Sequence, residues 1–213
     1  MILDNDPFFD GAWVESPSRG DLSMSFHSGF FQIHRDAHFR GDKIRILGVL
    51  SRSVRGKTRF EFRADYFSQA VDNREWQKNI APDYEILNLY GAVDFPSHIR
   101  FTGDISRNLV AGSGTEQKSS DAFNLTVVAG RSKKRGGFQI IYQYLQFGGK
   151  AVSPHLVSYC RRVNVLGTHT TVNYFLTRST VARFDFLNWR KLEADFPTSK
   201  RYRRWELALN HSF

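Results

Sequence analysis

Residues 59–66 read Arg59-Phe-Glu-Phe-Arg-Ala-Asp-Tyr66. Phe60, Phe62, Ala64 and Tyr66 alternate with Arg59, Glu61, Arg63 and Asp65. A helix would scatter these charges around its circumference. A strand gathers the apolar residues on one face and every ionisable group on the other, because successive strand side chains point to opposite sides. Packing four ionisable groups dry costs several kcal/mol each, so the charged face is expected to meet water. The Phe-rich face is then left for lipid or for a core.

The same alternation recurs on both sides of this stretch. Ile99, Phe101, Gly103 and Ile105 oppose Arg100, Thr102, Asp104 and Ser106. Phe123, Leu125, Val127 and Ala129 oppose Asn124, Thr126, Val128 and Gly130. Phe138, Ile140, Tyr142 and Tyr144 oppose Gln139, Ile141, Gln143 and Leu145. At the end of the chain Trp205, Leu207, Leu209, His211 and Phe213 oppose Arg204, Glu206, Ala208, Asn210 and Ser212. Looser segments at 7–15, 22–34, 43–54, 84–95, 165–177 and 180–190 bring the expectation to about eleven strands and no long helix. Their lengths suit tilted strands crossing a bilayer.

The connections alternate in length. Arg55-Gly-Lys57, Pro96-Ser-His98, Arg131 to Gly136 and Arg178-Ser179 are short, whereas 35–42, 68–83, 110–120, 148–164 and 191–202 are long and polar. Tight turns on one side and long loops on the other are the plan of an outer-membrane barrel, and a soluble sandwich does not require them. The sequence therefore predicts an all-β, antiparallel up-and-down transmembrane β-barrel, with residues 1–213 as one barrel domain. Phe213, in phase with the apolar face of the last strand, matches the signal read by the barrel-assembly machinery, with Trp205, Leu207 and Leu209 completing it. That signal puts the chain end and the tight turns in the periplasm, and the long loops outside. Strand parity then makes 7–15 a descending strand fed by an earlier one, with Ser16-Pro-Ser-Arg-Gly20 as a further tight turn. On that count the barrel is expected to be incomplete at the N-terminus and part of a larger one; the rival reading makes residues 1–21 a periplasmic tail on a complete ten-stranded barrel.

The chain also resembles a bacterial outer-membrane family of porin-like barrels. The stretches that carry the resemblance are Asn5-Asp-Pro-Phe-Phe9, Tyr84-Glu-Ile-Leu-Asn-Leu-Tyr-Gly-Ala-Val93, Gly136-Gly-Phe-Gln-Ile-Ile-Tyr-Gln-Tyr-Leu145 and Trp205-Glu-Leu-Ala-Leu-Asn-His-Ser-Phe213. It is a pattern match over nearly the whole chain, and it implies a passive pore in the outer membrane. The chain departs from the family at Gly148-Gly-Lys-Ala-Val-Ser153, where members often carry an acidic stretch.

Phase nominates a pore-lining set of Arg45, Arg59, Glu61, Arg63, Asp65, Asp94, Arg100, Asp104, Arg183, Asp185, Arg204 and Glu206, six positive and six negative groups. Trp13, Trp189, Trp205, Tyr66, Tyr84 and Tyr202 lie near strand ends and read as an interfacial aromatic girdle. The net charge of +9 is scattered through strands and turns. The dense run Arg131-Ser-Lys-Lys-Arg135 reads as a basic turn or a contact with anionic lipid rather than a nucleic-acid site.

The single Cys160 excludes a disulfide framework and a cysteine-rich zinc site. His34 and His38 have no third ligand nearby, so no metal site is expected. His169 and Thr171 share a strand face, but spacing assembles no serine–histidine–acid set, and the expectation is no enzyme and no cofactor. The expected partners are outer-membrane lipid, the assembly machinery, small hydrophilic solutes and a second copy in a homo-oligomer. The rival readings are a structural or adhesive barrel with a plugged lumen and a soluble lipocalin-like carrier.

Overall fold

The computed structural model describes residues 9–16, 22–33, 43–70, 83–110, 120–131, 134–149, 151, 164–192 and 201–211. Within them the chain runs through eleven strands: β1 (Phe9–Glu15), β2 (Leu22–Ile33), β3 (Lys43–Arg55), β4 (Thr58–Ala70), β5 (Asp83–Phe95), β6 (Ile99–Asn108), β7 (Asp121–Gly130), β8 (Gly137–Phe147), β9 (Val165–Phe175), β10 (Thr180–Lys191) and β11 (Arg201–His211). They form one antiparallel sheet in the order β1 to β11, each strand paired with its sequence neighbours. The sheet is open. β2 pairs with β1 and β3, and neither β1 nor β11 pairs with the other.

Local chemistry sets the hairpins. Gly56 takes φ +61°, which lets β3 turn into β4 with Arg55 paired to Thr58. At the β5–β6 turn His98 takes φ 61° and its N–H donates to the Phe95 carbonyl at 3.2 Å. Between β9 and β10 the Thr177 hydroxyl accepts the N–H groups of Ser179 and Thr180 at 3.1 and 2.9 Å. The long connections, like His34, His38, Cys160, Phe213 and most of the Ser16–Gly20 turn, lie outside the described residues.

Register fixes two faces. Phe62 sits opposite Ser51 and Gly91, and Tyr66 opposite Leu47 and Leu87, so the apolar residues of β3, β4 and β5 share one face. That face is exposed: Phe26, Leu47, Phe62, Ile105, Trp205 and Leu207 all point outward, Leu207 at 81% exposure. The other face holds Asp65, Asn88, Asp104, Gln143, His169 and Asp185, all buried. Apolar out and polar in is the reverse of the usual partition.

The buried face is not uniform along the strands. Towards the long connections it becomes more apolar, with Ile44, Ile46, Phe67, Tyr84, Ile86, Leu145, Phe147, Val165, Leu187 and Trp189 buried beside the polar Gln69 and Asn108. Period-two reading assigns this face by its charges and does not anticipate the change.

Candidate functional site: the polar wall

The residues nominated by phase come together on the buried face, with one exception. Arg59 lies directly across from Asp94, which lies across from Arg100. The Arg100 guanidinium reaches Asp94 at 3.2 Å and donates to the Tyr90 hydroxyl at 2.9 Å. Arg63 meets Asp65 at 2.8 Å, and Arg183 meets Asp185 at 2.5 Å. Arg204 pairs with Glu206 at 2.7 Å, and Asp104 accepts from the Asn124 amide at 3.3 Å.

Arg45 is the exception. It lies across from Phe30 and Ser68 on the exposed face. The cause is the Gly56–Lys57 hairpin, which pairs odd residues of β3 with even residues of β4 and so puts Arg45 in phase with Leu47, Phe62 and Tyr66. The same register brings Arg52 inward to pair with Glu61 at 3.3 Å. Arg52 thus stands in the place assigned to Arg45, and Glu15 and Lys191 add one charge of each sign to this face.

The aromatic girdle also needs correcting. Tyr66 and Trp205 lie on the exposed face, but Tyr84 and Trp189 are buried on the other. Trp189 stacks on Tyr202 with ring centroids 5.5 Å apart, both on the wall side. The side chain of Trp13 lies outside the described residues. A strand-end position does not by itself tell which face an aromatic takes.

Two buried clusters repeat one motif. In the first, His27 of β2, Gly48 of β3 and Asp65 of β4 lie in one row across three strands. The His27 Nε2 and Asp65 Oδ1 atoms meet at 2.6 Å above Gly48, and Arg63 takes the second carboxylate oxygen. In the second, His169 Nε2 lies 2.8 Å from Asp185 Oδ1, and Arg183 takes Oδ2. An arginine two residues before an aspartate stays on its face, so each pair is preset by its own strand.

Uncharged groups bond one another in the rows between these clusters. Ser106 donates to Asn88 at 2.6 Å, Gln143 to Thr126 at 3.2 Å, and His169 Nδ1 lies 3.2 Å from the Gln143 carbonyl oxygen. His27, Asn88, Ser106, Asn124, Thr126 and Gln143 were absent from the nominated set. They occupy the same period-two positions as the charges, and that signal could have found them.

Gly48 has a specific role here, since a Cβ at this position would overlap the Asp65 carboxylate and the His27 imidazole. Gly48→Val is therefore expected to force the bridge apart and destabilise the fold by about 1–3 kcal/mol, the usual cost of overpacking. Gly91→Val, at a position with open space around it, is the control. Equal midpoints for the two variants in denaturant titration would refute the role given to Gly48.

His169, Thr171 and Asp185 do meet, but not as a nucleophilic triad. The Thr171 hydroxyl donates to Asp185 at 2.5 Å, and Thr171 and Asp185 both approach the same imidazole nitrogen. A triad needs the acid and the nucleophile on opposite nitrogens. Among the described residues no group of three His, Cys, Asp or Glu side chains could hold a metal ion. What the arrangement offers is a stiff, hydrogen-bonded polar wall with balanced charge. No family model, curated protein or solved structure matches the chain.

Proposed function

We propose that the sheet is the wall of a transmembrane β-barrel in a bacterial outer membrane. Its polar face lines a water-filled passage for passive diffusion of small hydrophilic solutes. Closure of the wall is part of that proposal. The observation that carries it is the inverted partition, with phenylalanines and leucines exposed while Asp65, Asp104, Asp185 and their partners are turned inward.

The β10–β11 pair supports the same reading in finer detail. Along its exposed face the cross-strand rows run Arg190/Arg201, Asn188/Arg203, Phe186/Trp205, Phe184/Leu207, Ala182/Leu209 and Thr180/His211. The order is cationic, aromatic, aliphatic and polar again. Phe184 and Phe186 pack on Trp205 with centroids 5.6 and 4.5 Å apart, and Thr180 bonds His211 at 2.8 Å. The ten residue steps from Thr180 to Arg190 span roughly 33 Å along the strand and, at the usual tilt, roughly 25 Å of height, of which the apolar rows from Ala182 to Phe186 take about 10 Å.

A structural barrel with a plugged lumen is the second reading. It is favoured by the apolar, buried end of the wall at Ile44, Ile46, Phe67, Ile86, Leu145 and Phe147. Planar-bilayer recording decides between the two. The channel reading expects stepwise conductance, with Asp94→Asn or Arg100→Gln changing conductance or ion selectivity, because their pair faces the passage. Insertion without conductance would give the plugged reading. Solubility and monodispersity without detergent would sink both.

A further inference from the structure

We infer that the exposed face of β10–β11 carries a binding site for a phosphorylated lipid headgroup, formed by Arg190, Arg201 and Arg203. This rests on the membrane reading above and adds a ligand to its outer surface. Arg190 and Arg201 are direct cross-strand partners, and Arg203 follows one row nearer the aromatic residues. All three are exposed. Like charges placed directly opposite on a sheet destabilise it, and none of the three makes an ion pair with a described residue.

Their neighbours offer no relief. The strand on the other side, β9, puts Leu166 and Thr168 beside Arg190 and Asn188. On β6–β7, at the same end of this face, Arg107 is instead neutralised by Asp121 in two bonds of 2.7 and 2.9 Å. Among the described residues the arginine trio therefore lacks an anion such as Asp121 gives Arg107.

The place of the trio identifies the missing partner. It sits at the long-connection end, just beyond the Phe186–Trp205 rings. Interfacial aromatics mark headgroup level. A guanidinium presents a planar fork to phosphate oxygens, and two facing forks with a third nearby match a doubly charged phosphomonoester. The acyl chains of such a lipid would lie along Phe184, Leu207 and Leu209.

The test is native mass spectrometry of the purified chain, released from neutral detergent containing equal amounts of phosphatidic acid and phosphatidylcholine with the same acyl chains. Phosphatidic acid is expected to be retained over phosphatidylcholine by about tenfold or more, given three cations near the headgroup. Arg190→Gln/Arg201→Gln/Arg203→Gln should bring the ratio close to one, while Lys57→Gln/Lys134→Gln, at the opposite end of the sheet, should leave it unchanged. Equal retention of both lipids by the wild type would overturn the inference alone. So would a triple variant that keeps the preference, or displacement of phosphatidic acid by millimolar inorganic phosphate, which would mark a soluble-anion site. Retention of neither lipid would remove the membrane reading along with it. The substituted residues are exposed, and an unchanged circular-dichroism spectrum checks that the variants keep their strands.

Discussion

Asp65→Ala is expected to lower stability by about 3–5 kcal/mol, the cost of removing one member of a buried charged pair. Asp65 is 3% exposed and holds both His27 and Arg63. Without the carboxylate, the Arg63 guanidinium stays in a largely buried position with no counter-charge. Water cannot readily replace what is lost, because the His27 imidazole covers the same spot. Asp185→Ala should behave alike, since it strips His169 and Arg183 of the same partner. Glu61→Gln is the contrast, since its bond to Arg52 is 3.3 Å long and solvent-exposed, and pairs of that kind contribute about 1 kcal/mol or less. Guanidinium unfolding in detergent micelles measures all three. A loss at Asp65 no larger than at Glu61 would show that the row over Gly48 is decoration.

The second large effect is expected on the opposite face. Phe62→Arg and Leu207→Arg each place a charge within the proposed apolar band. The cost is about 2–4 kcal/mol near the bilayer midplane and less near its edges. Phe62 and Leu207 are exposed, at 51% and 81%. In a water-soluble protein, arginine at such positions would be tolerated within about 0.5 kcal/mol. The substitution therefore tests the environment more than the contact. Unfolding from lipid vesicles should show the loss, and neutrality there would return the sheet to a soluble reading. Because Glu61 and Phe62 are adjacent, the comparison changes only the face and leaves the strand the same.

The strands were legible in the sequence because most of them carry contrast between their two faces. The run from Arg59 to Tyr66 is the extreme case, and β4 is observed over it. Contrast fails in β3, where Ile44 and Ile46 on one parity and Leu47 and Val49 on the other are all apolar. The nearest charge then suggested the wrong phase for Arg45. Only the hairpin register, set through Gly56, resolves it. The polar network was read only in part. Charges announce themselves, whereas Asn88, Ser106 and Gln143 acquire meaning from partners on strands far away in sequence. The buried positions of Tyr84 and Trp189 went unseen for a related reason. An aromatic at a strand end suits either face, and what decides is its parity, which puts Trp189 in step with Asp185 and across from Tyr202.

The meander order β1 to β11 has a consequence for how the sheet is built and altered. No strand waits for a distant part of the chain, so each pairing closes only one connection. The entropy of loop closure grows slowly with length, and local pairing of this kind favours rapid assembly over searches across the chain. Assembly can proceed as a zipper, one hairpin templating the next. The hairpin is then also the natural unit of change. Removing two consecutive strands with their turn lets the flanking strands meet antiparallel, with the same face still turned to the same side. The width of the sheet can therefore vary in steps of two strands while the code within each strand stays as it is.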